Sequence, residues 1–496
     1  MNFAQSVKMT TQTKLTENGA VAYSTTSNAL LDLFAQVGAL RPRSEAEIAQ
    51  KFADAFHVDA LLATKMLFYA GNVRGGLGER RTFRVCLKWL AQNHPSIVVK
   101  NMALIPHFNR WDSVFVLVGT KAETAMWEFI AETLNSDMAI LVNNKKAEQT
   151  SSISLLAKWM PTETASSKDT KALAKKAIKN LGVTPREYRK MLSALRKYLA
   201  VVERSMSKRE WNRISYAAVP SYAMKNYRKA FDKHDPVRFA NYKASLVKGE
   251  TKINASTLFP YDLVAKYIGN SWRMYSTHED AIIEAQWKTL PNYVKGKNNF
   301  LVMADVSGSM AGRPMQTSVG LATYFAQHNQ GAYHNLYMTF TDRPHFIQLR
   351  EGCSLAEACR QVMMTDVGFN TNLEAAFDYI LKHAVTNRIS ALEMPEALVV
   401  VSDMEIDKYM RPGYNWDFVR TQKAKFKAYG YKLPKLIMWN VEARKDTFLS
   451  QSEDVLFISG QATSSFRDLC ATLDGKTAWD FMLEVLNNKM YDVVKL

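Results

Sequence analysis

Apolar residues recur every three or four positions through most of the first 290 residues. This spacing is typical of helices that bury one face and expose the other. Glycines and prolines separate the segments, and Ser44 with Glu47 three positions later forms a capping-box pattern at a helix start. Helices are predicted over residues 28–37, 46–56, 60–70, 79–91, 122–134 and 185–206. Because successive amphipathic helices pack as antiparallel pairs, we predict an all-α, HEAT-like domain over residues 21–290, after a flexible arm over residues 1–20.

The pattern changes after a polar linker at residues 291–298. Short apolar runs of strand length then alternate with helical segments. Strands are predicted over residues 300–304, 336–341, 397–402, 435–441 and 455–459, with an edge strand over 346–349, and helices over 314–328, 373–383 and 479–488. Strands separated by helices favour a doubly wound, mainly parallel sheet over residues 299–496. The predicted fold class is therefore α + α/β.

Composition narrows the class of protein. The 496 residues are 47% hydrophobic and 22% charged, which excludes a mainly disordered chain and predicts more than one folded domain. The four cysteines are too few and too scattered for a disulfide scaffold or a zinc cluster, so a reducing compartment fits best. The sequence shows neither a secretory signal nor an apolar run long enough to span a membrane. We therefore expect a soluble, cytoplasmic protein with no membrane partner.

The formal net charge of +17 is concentrated in one part of the chain. Residues 141–260 contain 25 Lys and Arg against 9 Asp and Glu, whereas the remainder is almost balanced. A uniformly basic chain would indicate little beyond solubility. A concentrated basic surface instead favours a polyanionic partner.

The densest basic residues lie at helical spacing over residues 171–197. Lys171, Lys175 and Lys179 recur every four positions, so they share one helix face, where like charges repel unless an anion offsets them. Aromatic residues are interleaved, which suits the stacking of unpaired bases, and the absence of helix-turn-helix or zinc-finger spacing favours RNA over DNA. The predicted RNA-binding residues are Lys171, Lys175, Lys176, Lys179, Arg186, Arg189, Lys190, Arg196 and Lys197. The alternative is that the lysines form a solvated surface and the rings pack in a helical core.

Small oxygen-bearing side chains follow the first predicted strand of the second domain. Asp305, Ser307 and Ser309 alternate along five residues, Thr371 precedes a predicted helix, and Asp403 follows another apolar strand. Ligands of parallel sheets bind at the carboxyl ends of strands, so the three loops could converge at one edge. Such oxygen donors suit Mg²⁺, or Mn²⁺ or Ca²⁺, and not thiophilic metals. The alternatives are a plain Ser-Gly-Ser turn and an aspartate that caps a helix.

This three-part pattern resembles the metal-ion-dependent adhesion site of von Willebrand factor A domains, over about residues 297–496. The resemblance implies that Ser307 and Ser309 bind Mg²⁺ directly, and Thr371 directly or through water. It implies that Asp305 and Asp403 hold ordered waters and balance the charge. One coordination position would stay open for an acidic side chain of a partner protein.

The order of the two domains resembles the Ro autoantigen family. In that family a ring of HEAT-like helices, the TROVE module, binds the ends of misfolded or small noncoding RNAs, and a von Willebrand A domain follows. The sequence is more specifically similar to TROVE-like/von Willebrand A proteins of phages, plants and large viruses. The motifs that carry this similarity are residues 22–32 (AYSTTSNALLD), 71–80 (GNVRGGLGER), 110–112 (RWD) and 402–405 (SDME).

The sequence predicts a binding protein and not an enzyme. It contains no HExxH pair and no Gly-x-Ser-x-Gly elbow, and its glycine-rich segment near residue 75 lacks a phosphate-loop ending, so we predict a tight interhelical turn there. We expect RNA on the basic helices and an acidic protein partner at the metal site. Two alternatives stay open: an adaptor that binds proteins only, and a metal-dependent phosphodiesterase that uses Asp305 and Asp403.

Overall fold

The computed structural model describes most of the chain: residues 13–17, 21–147, 152–270, 275–276, 278–294, 299–340, 343–364, 373–405, 418–448, 455–465 and 476–496. Within these ranges the chain forms two compact units. The sheet unit comprises Met1–Thr82 and Ala255–Asp492, and the helical unit comprises Phe83–Asn254 and Val493–Leu496. The arm predicted over residues 1–20 and the linker predicted over 291–298 lie partly outside the described residues.

Helices form most of the described secondary structure. In chain order they are α1 (Ala29–Phe34), α2 (Glu45–Val58), α3 (Ala60–Gly71), α4 (Arg80–Asn93), α5 (Pro95–Lys100), α6 (Leu104–Phe108), α7 (Glu123–Ala147), α8 (Leu156–Trp159), α9 (Lys168–Asn180), α10 (Pro185–Tyr198), α11 (Val202–Ser207), α12 (Ser221–His234), α13 (Pro236–Val247), α14 (Pro260–Val264), α15 (Ala281–Lys288), α16 (Arg313–His328), α17 (Leu355–Met364), α18 (Leu373–Thr386), α19 (Phe418–Ala428) and α20 (Ala478–Leu486). The strands are β1 (Thr13–Leu15), β2 (Val21–Tyr23), β3 (Phe300–Asp305), β4 (Leu336–Phe340), β5 (Phe346–Gln348), β6 (Ala397–Ser402), β7 (Lys435–Asn440) and β8 (Val455–Ser459).

The predicted fold class is confirmed, because a mostly helical N-terminal region precedes a mixed, mainly parallel sheet. Six strands of the sheet unit pair in the order β5-β4-β3-β6-β7-β8, and all are parallel except β5, which pairs antiparallel with β4 at the edge. From β3 the chain continues to β4 on one side and later returns to β6 on the other. This reversal is a topological switch point, where the loops after two neighbouring strands diverge and leave a crevice.

Helices cover both faces of this sheet. On one face, Met303 and Val400 belong to a core that includes Phe377 of α18 and Phe426 of α19. On the other face, Trp439 packs against Phe325 of α16, with ring centroids 5.9 Å apart. β3 and β6 are buried at every position and apolar up to their last residues, Asp305 and Ser402, which explains why continuous apolar runs predicted them.

The sheet unit also contains residues 21–82 and 255–290, which the sequence pattern predicted within the helical domain. Helical periodicity shows which face of a helix is buried but not which neighbour buries it. Phe34 of α1 stacks on Tyr69 of α3 at 5.9 Å between ring centroids and meets Phe481 of α20 edge-on at 5.9 Å. The first helices therefore share a core with the last helix of the sheet unit.

Backbone contacts attach the N-terminal residues to the ends of β7 and β8. Tyr23 and Phe448 exchange two backbone hydrogen bonds of 2.8 and 2.9 Å. The N–H of Gly38 donates to Oγ of Ser459 at 3.0 Å, and a Cβ at position 38 would lie 2.7 Å from the backbone oxygen of Ser459. Only glycine permits so close an approach of two main chains.

The helical unit is held by caps and an aromatic core. Thr184 and Glu187 form a capping box at the start of α10, in which Thr184 N donates to Oε2 of Glu187 at 2.8 Å. The buried Tyr188 donates from its hydroxyl to the backbone oxygen of Pro161 at 2.7 Å. Further along the chain, the rings of Tyr216 and Phe239 lie 4.9 Å apart.

One predicted helix is wrong in its length. The pattern predicted a single helix over residues 185–206, but α10 ends at Tyr198 and α11 begins at Val202. Ala200 between them has a φ of +48°, a left-handed conformation that terminates helices. Glycine usually marks such a position, and because alanine occupies it here the sequence carries no signal for the break.

A helix that crosses a bilayer must be both long and apolar. In the parts of the chain that the structure describes, no helix combines the length and the apolar character that a bilayer crossing requires.

Replacing Gly38 with alanine is expected to lower the free energy of unfolding by about 1–3 kcal/mol, because the added methyl group meets main-chain atoms that cannot rotate away. Urea denaturation followed by circular dichroism measures the change. Gly308→Ala is the matched control, since a Cβ at position 308 meets no atom within 4 Å. Equal stability of the two variants would contradict the close approach described above.

Candidate metal site and basic helical surface

The carboxyl ends of β3, β6 and β7 lie side by side at the switch point of the sheet. Asp305 is the last residue of β3, Asp403 comes directly after β6, and residues 441–448 follow β7. Asp305, Ser307, Ser309 and Asp403 therefore meet at one edge, and we call this group the switch-point site. Thr371, the fifth predicted ligand, lies outside the described residues.

Asp305 is fully buried, with both carboxylate oxygens in hydrogen bonds. Oδ1 accepts from the backbone N–H of Ser307 at 2.9 Å, and Oδ2 accepts from the hydroxyl of Ser402 at 2.6 Å. Burial, together with the nearby charge of Asp403, raises the pKa of Asp305 well above its usual range. The carboxylate is thus rigidly held, and a positive charge close by would stabilise its ionised form.

The two serine hydroxyls lie together beside this carboxylate. Oγ of Ser307 is 3.1 Å from Oγ of Ser309, and a single 3-10 turn, Gly308–Met310, joins the two residues to the following helix. Ser307 is buried, whereas Ser309 is half-buried and faces the edge of the site. The alternating pattern therefore places two neutral oxygen donors side by side, as binding a hard cation requires.

Asp403 is 1% exposed and incompletely satisfied. Its Oδ1 accepts from the backbone N–H of Glu405 at 3.1 Å, but within the described part of the chain Oδ2 accepts no hydrogen bond. Burial raises the pKa of Asp403 as well. Met404 next to it has a φ of +65°, an unfavourable conformation for a residue with a side chain, of the kind that often occurs at functional sites.

These observations fit a hard divalent cation. Two buried carboxylates are costly unless positive charge compensates them, and Oδ2 of Asp403, which accepts no hydrogen bond from the described residues, has the guanidinium of Arg444 3.5 Å away. The donors are carboxylate and hydroxyl oxygens, which suit Mg²⁺ and similar ions. Among the described residues no group of three or more His, Cys, Asp or Glu side chains could hold a metal, so any ion here would depend on the serine oxygens.

Three neighbours of the site were not predicted from the sequence. Glu405, 2% exposed, accepts from the backbone N–H of Glu17 at 2.6 Å. Arg444 lies 3.5 Å from Oδ2 of Asp403 and is bound by Glu442 at 2.7 Å. Glu442 and Arg444 follow β7, and only the strand order shows that this loop adjoins the other two. The sequence contained a signal for Glu405, since it lies two positions after the predicted Asp403.

The predicted RNA-binding residues lie on α9 and α10 of the helical unit, and all of them except Arg196 are exposed. Lys171, Lys175 and Lys179 lie along α9, whereas Ala174 and Ala177 of the same helix are buried. Among the described residues, no carboxylate forms an ion pair with these three lysines. We call the exposed basic residues of these two helices together the α9–α10 surface.

Two arginines on α10 have partners within the unit. Arg189 forms an ion pair with Glu163 at 2.9 Å. Arg196 is half-buried and donates to the backbone oxygens of Ala157 and Met160, each at 2.8 Å, at the end of α8. These bonds give Arg196 a structural role in joining α10 to α8.

Four of the eight interleaved aromatic residues form core, the eight being Tyr188, Tyr198, Trp211, Tyr216, Tyr222, Tyr227, Phe231 and Tyr242. Tyr188, Tyr216, Phe231 and Tyr242 are each at most 9% exposed. This is the alternative that the sequence left open, and these rings are therefore not available to stack on bases. Tyr222 differs, since it is 39% exposed.

The glycine-rich segment after α3 is a tight turn, as predicted. Oδ1 of Asn72 accepts from the backbone N–H groups of Arg74 and Gly75, each at 3.0 Å. The main-chain donors that a phosphate loop would present are thus bound by a side chain of the same turn.

The fold and site define a class of protein with a helical unit, a doubly wound α/β sheet and an oxygen-lined edge at the switch point of that sheet. Two family models match the chain. Residues 16–110 and 166–300 match a "Domain of unknown function (DUF2828)", and residues 299–473 match a "Domain of unknown function (DUF7788)". The two models meet near residue 300, where β3 begins.

Two individual proteins are also similar to this chain. Uncharacterized protein L728 of Acanthamoeba polyphaga mimivirus is 27% identical over 481 residues, which cover 90% of this chain and 82% of the viral protein. The crystal structure of the Deinococcus radiodurans RO (RSR) protein aligns with a TM-score of 0.45 and 14% identity, over 93% of this chain and 99% of that chain. The viral relative agrees with the resemblance to proteins of large viruses.

Replacing Arg196 with glutamine is expected to lower the free energy of unfolding by about 1–3 kcal/mol, because the backbone oxygens of Ala157 and Met160 lose their charged donor. Chemical denaturation of the full chain measures this difference. Lys197→Gln removes the same charge from an exposed neighbour and should change stability by less than about 0.5 kcal/mol. If both variants were equally stable, the structural role of Arg196 would be refuted.

Proposed function

We propose that the protein is a non-enzymatic RNA-binding protein whose sheet unit also binds a divalent cation and, through it, an acidic side chain of a partner protein. The exposure of the α9–α10 surface carries the RNA part of this proposal. The resemblance of the sequence to the Ro family points in the same direction, although it assigns no individual RNA contact.

The α9–α10 surface has the electrostatics that a polyanion requires. Lys171, Lys175 and Lys179 repel one another along α9, so their arrangement is unfavourable until an anion approaches. A phosphate backbone relieves this repulsion and releases its own bound counterions, which supplies most of the binding free energy. Since half of the interleaved rings are buried, we expect recognition of the phosphate chain more than of the bases.

The switch-point site would hold Mg²⁺ through the hydroxyls of Ser307 and Ser309, with Asp305 and Asp403 as compensating charges. Bound Mg²⁺ would supply an electrophilic centre for a carboxylate from a partner. This follows the resemblance to von Willebrand A domains. The burial of Asp305 and Asp403 and the serine hydroxyls 3.1 Å apart support it.

The geometry disfavours the phosphodiesterase alternative. A general base or nucleophile needs an oxygen that reaches the substrate. Asp305 is fully buried with hydrogen bonds at both oxygens, and Asp403 is 1% exposed. Neither carboxylate is placed to attack a phosphodiester, so we propose binding without turnover.

Reversing the charge of four lysines, Lys171, Lys175, Lys176 and Lys179, to glutamate should weaken RNA binding and reduce the slope of log affinity against log salt by about three. Fewer phosphates would then be neutralised. Fluorescence anisotropy with a single-stranded RNA and a hairpin RNA, over a series of KCl concentrations, measures both quantities.

The matched control reverses four exposed lysines of the sheet unit, Lys288, Lys382, Lys427 and Lys489, and changes the net charge equally. It should retain the affinity of the unmodified protein for RNA. Equal loss in the two variants would show a non-specific charge effect. No RNA binding by the unmodified protein, with capture of a protein partner instead, would favour the adaptor alternative.

Asp403→Asn should remove Mg²⁺ binding while leaving the metal-free protein at least as stable, because the substitution abolishes the repulsion with Asp305. We expect Mg²⁺ to raise the midpoint of thermal unfolding of the unmodified protein, since a ligand stabilises the state that it binds, and this shift to disappear in the variant. Differential scanning calorimetry with Mg²⁺ and with a chelator tests both points. Asp378→Asn, at an exposed carboxylate of the same unit, should retain the shift.

A further inference from the structure

Arg444 lies in the segment after β7 and contacts two residues of the switch-point site. Its Nη2 donates to the backbone oxygen of Ser309 at 2.6 Å, and its Nη1 lies 3.5 Å from Oδ2 of Asp403. One guanidinium therefore contacts both the loop after β3 and the residue after β6. These are the two segments whose oxygens a cation would need together.

Glu442 fixes the plane of this guanidinium. Its Oε2 accepts from Nε of Arg444 at 2.9 Å and from Nη2 at 2.7 Å. The backbone N–H of Glu442 in turn donates to Oδ1 of Asn440, the last residue of β7, at 3.0 Å. Because arginine presents its donors in a rigid planar fork, fixing one edge of it also fixes the donor that reaches Ser309.

We propose that Arg444 is a positioning residue of the metal site, which holds the loop after β3 so that the hydroxyls of Ser307 and Ser309 stay together for a divalent cation. The inference rests on the proposed metal site and adds a residue that the adhesion-site pattern does not contain. In the arrangement that Arg444 holds, the two hydroxyls are 3.1 Å apart. Groups that orient metal ligands typically change metal affinity by about 10–100-fold when they are lost.

Coulomb's law by itself predicts the opposite effect. A guanidinium close to the site repels a second cation, so removing its charge should strengthen Mg²⁺ binding. A positioning role predicts weaker binding after removal. The sign of the change in affinity therefore separates the two roles.

The experiment measures the Kd of the full-length protein for Mg²⁺ by isothermal titration calorimetry, and for Mn²⁺ by electron paramagnetic resonance. Arg444→Met removes the donors and the charge, and Arg444→Lys keeps the charge but loses the planar fork. Lys445→Met is the matched control, because Lys445 lies next in the chain and contacts Glu17, with Nζ at 3.8 Å from its carboxylate. Circular dichroism with a chelator present confirms that each variant is folded.

We expect Arg444→Met to weaken Mg²⁺ binding about tenfold or more, Arg444→Lys to weaken it less, and Lys445→Met to leave it equal or slightly stronger. Unchanged or tighter binding by Arg444→Met, or by Arg444→Lys where the methionine variant does not fold, would overturn the positioning role and leave the metal site standing. Absence of saturable Mg²⁺ binding by the unmodified protein would overturn the metal site and, with it, this inference.

Discussion

The burial of two carboxylates, Asp305 and Asp403, is the main electrostatic constraint at the edge of the sheet where the candidate site lies, and the charge of Asp403 adds repulsion at Asp305. Each carboxylate has contacts that lower the free-energy cost of burying its charge. Asp305 accepts hydrogen bonds from the hydroxyl of Ser402 and the backbone N–H of Ser307, and Asp403 lies close to the guanidinium of Arg444. Within the described residues Oδ2 of Asp403 accepts no hydrogen bond, and the guanidinium of Arg444 lies 3.5 Å from it. The proposed cation would add positive charge at this edge.

The helical unit has the converse electrostatic problem, an excess of positive charge. Where a basic side chain has a structural use, as Arg196 has at the end of α8, it is half-buried and bonded to backbone oxygens. The lysines of α9 instead remain exposed, with a buried alanine face beneath them. Their charges are thus available to a partner and contribute little to the fold itself, since exposed charges interact weakly with their surroundings in water.

The sequence predicted the local features of the two candidate sites and missed those that depend on long-range contacts. The basic residues and the Asp-x-Ser-x-Ser pattern are local, so their spacing on one helix or one loop could be read directly, and the buried apolar strands predicted the sheet. The pairing of Glu442 with Arg444 could not be found in this way, because its relevance depends on β7 lying next to β6. For the same reason, the sequence could not show that residues 21–82 belong to the sheet unit.

The sequence by itself determined the six strands of the main sheet, several of the helices, the fold class and the residue types that could bind an anion or a cation, because periodicity and chemistry are properties of neighbouring residues. Tertiary structure decided which elements share a core, that half of the interleaved rings are buried, and that Arg444 reaches both Ser309 and Asp403. Such contacts join residues that lie far apart in the sequence, as Ser309 and Arg444 do. They depend on strand order and helix packing, which many sequences with the same local pattern could satisfy differently.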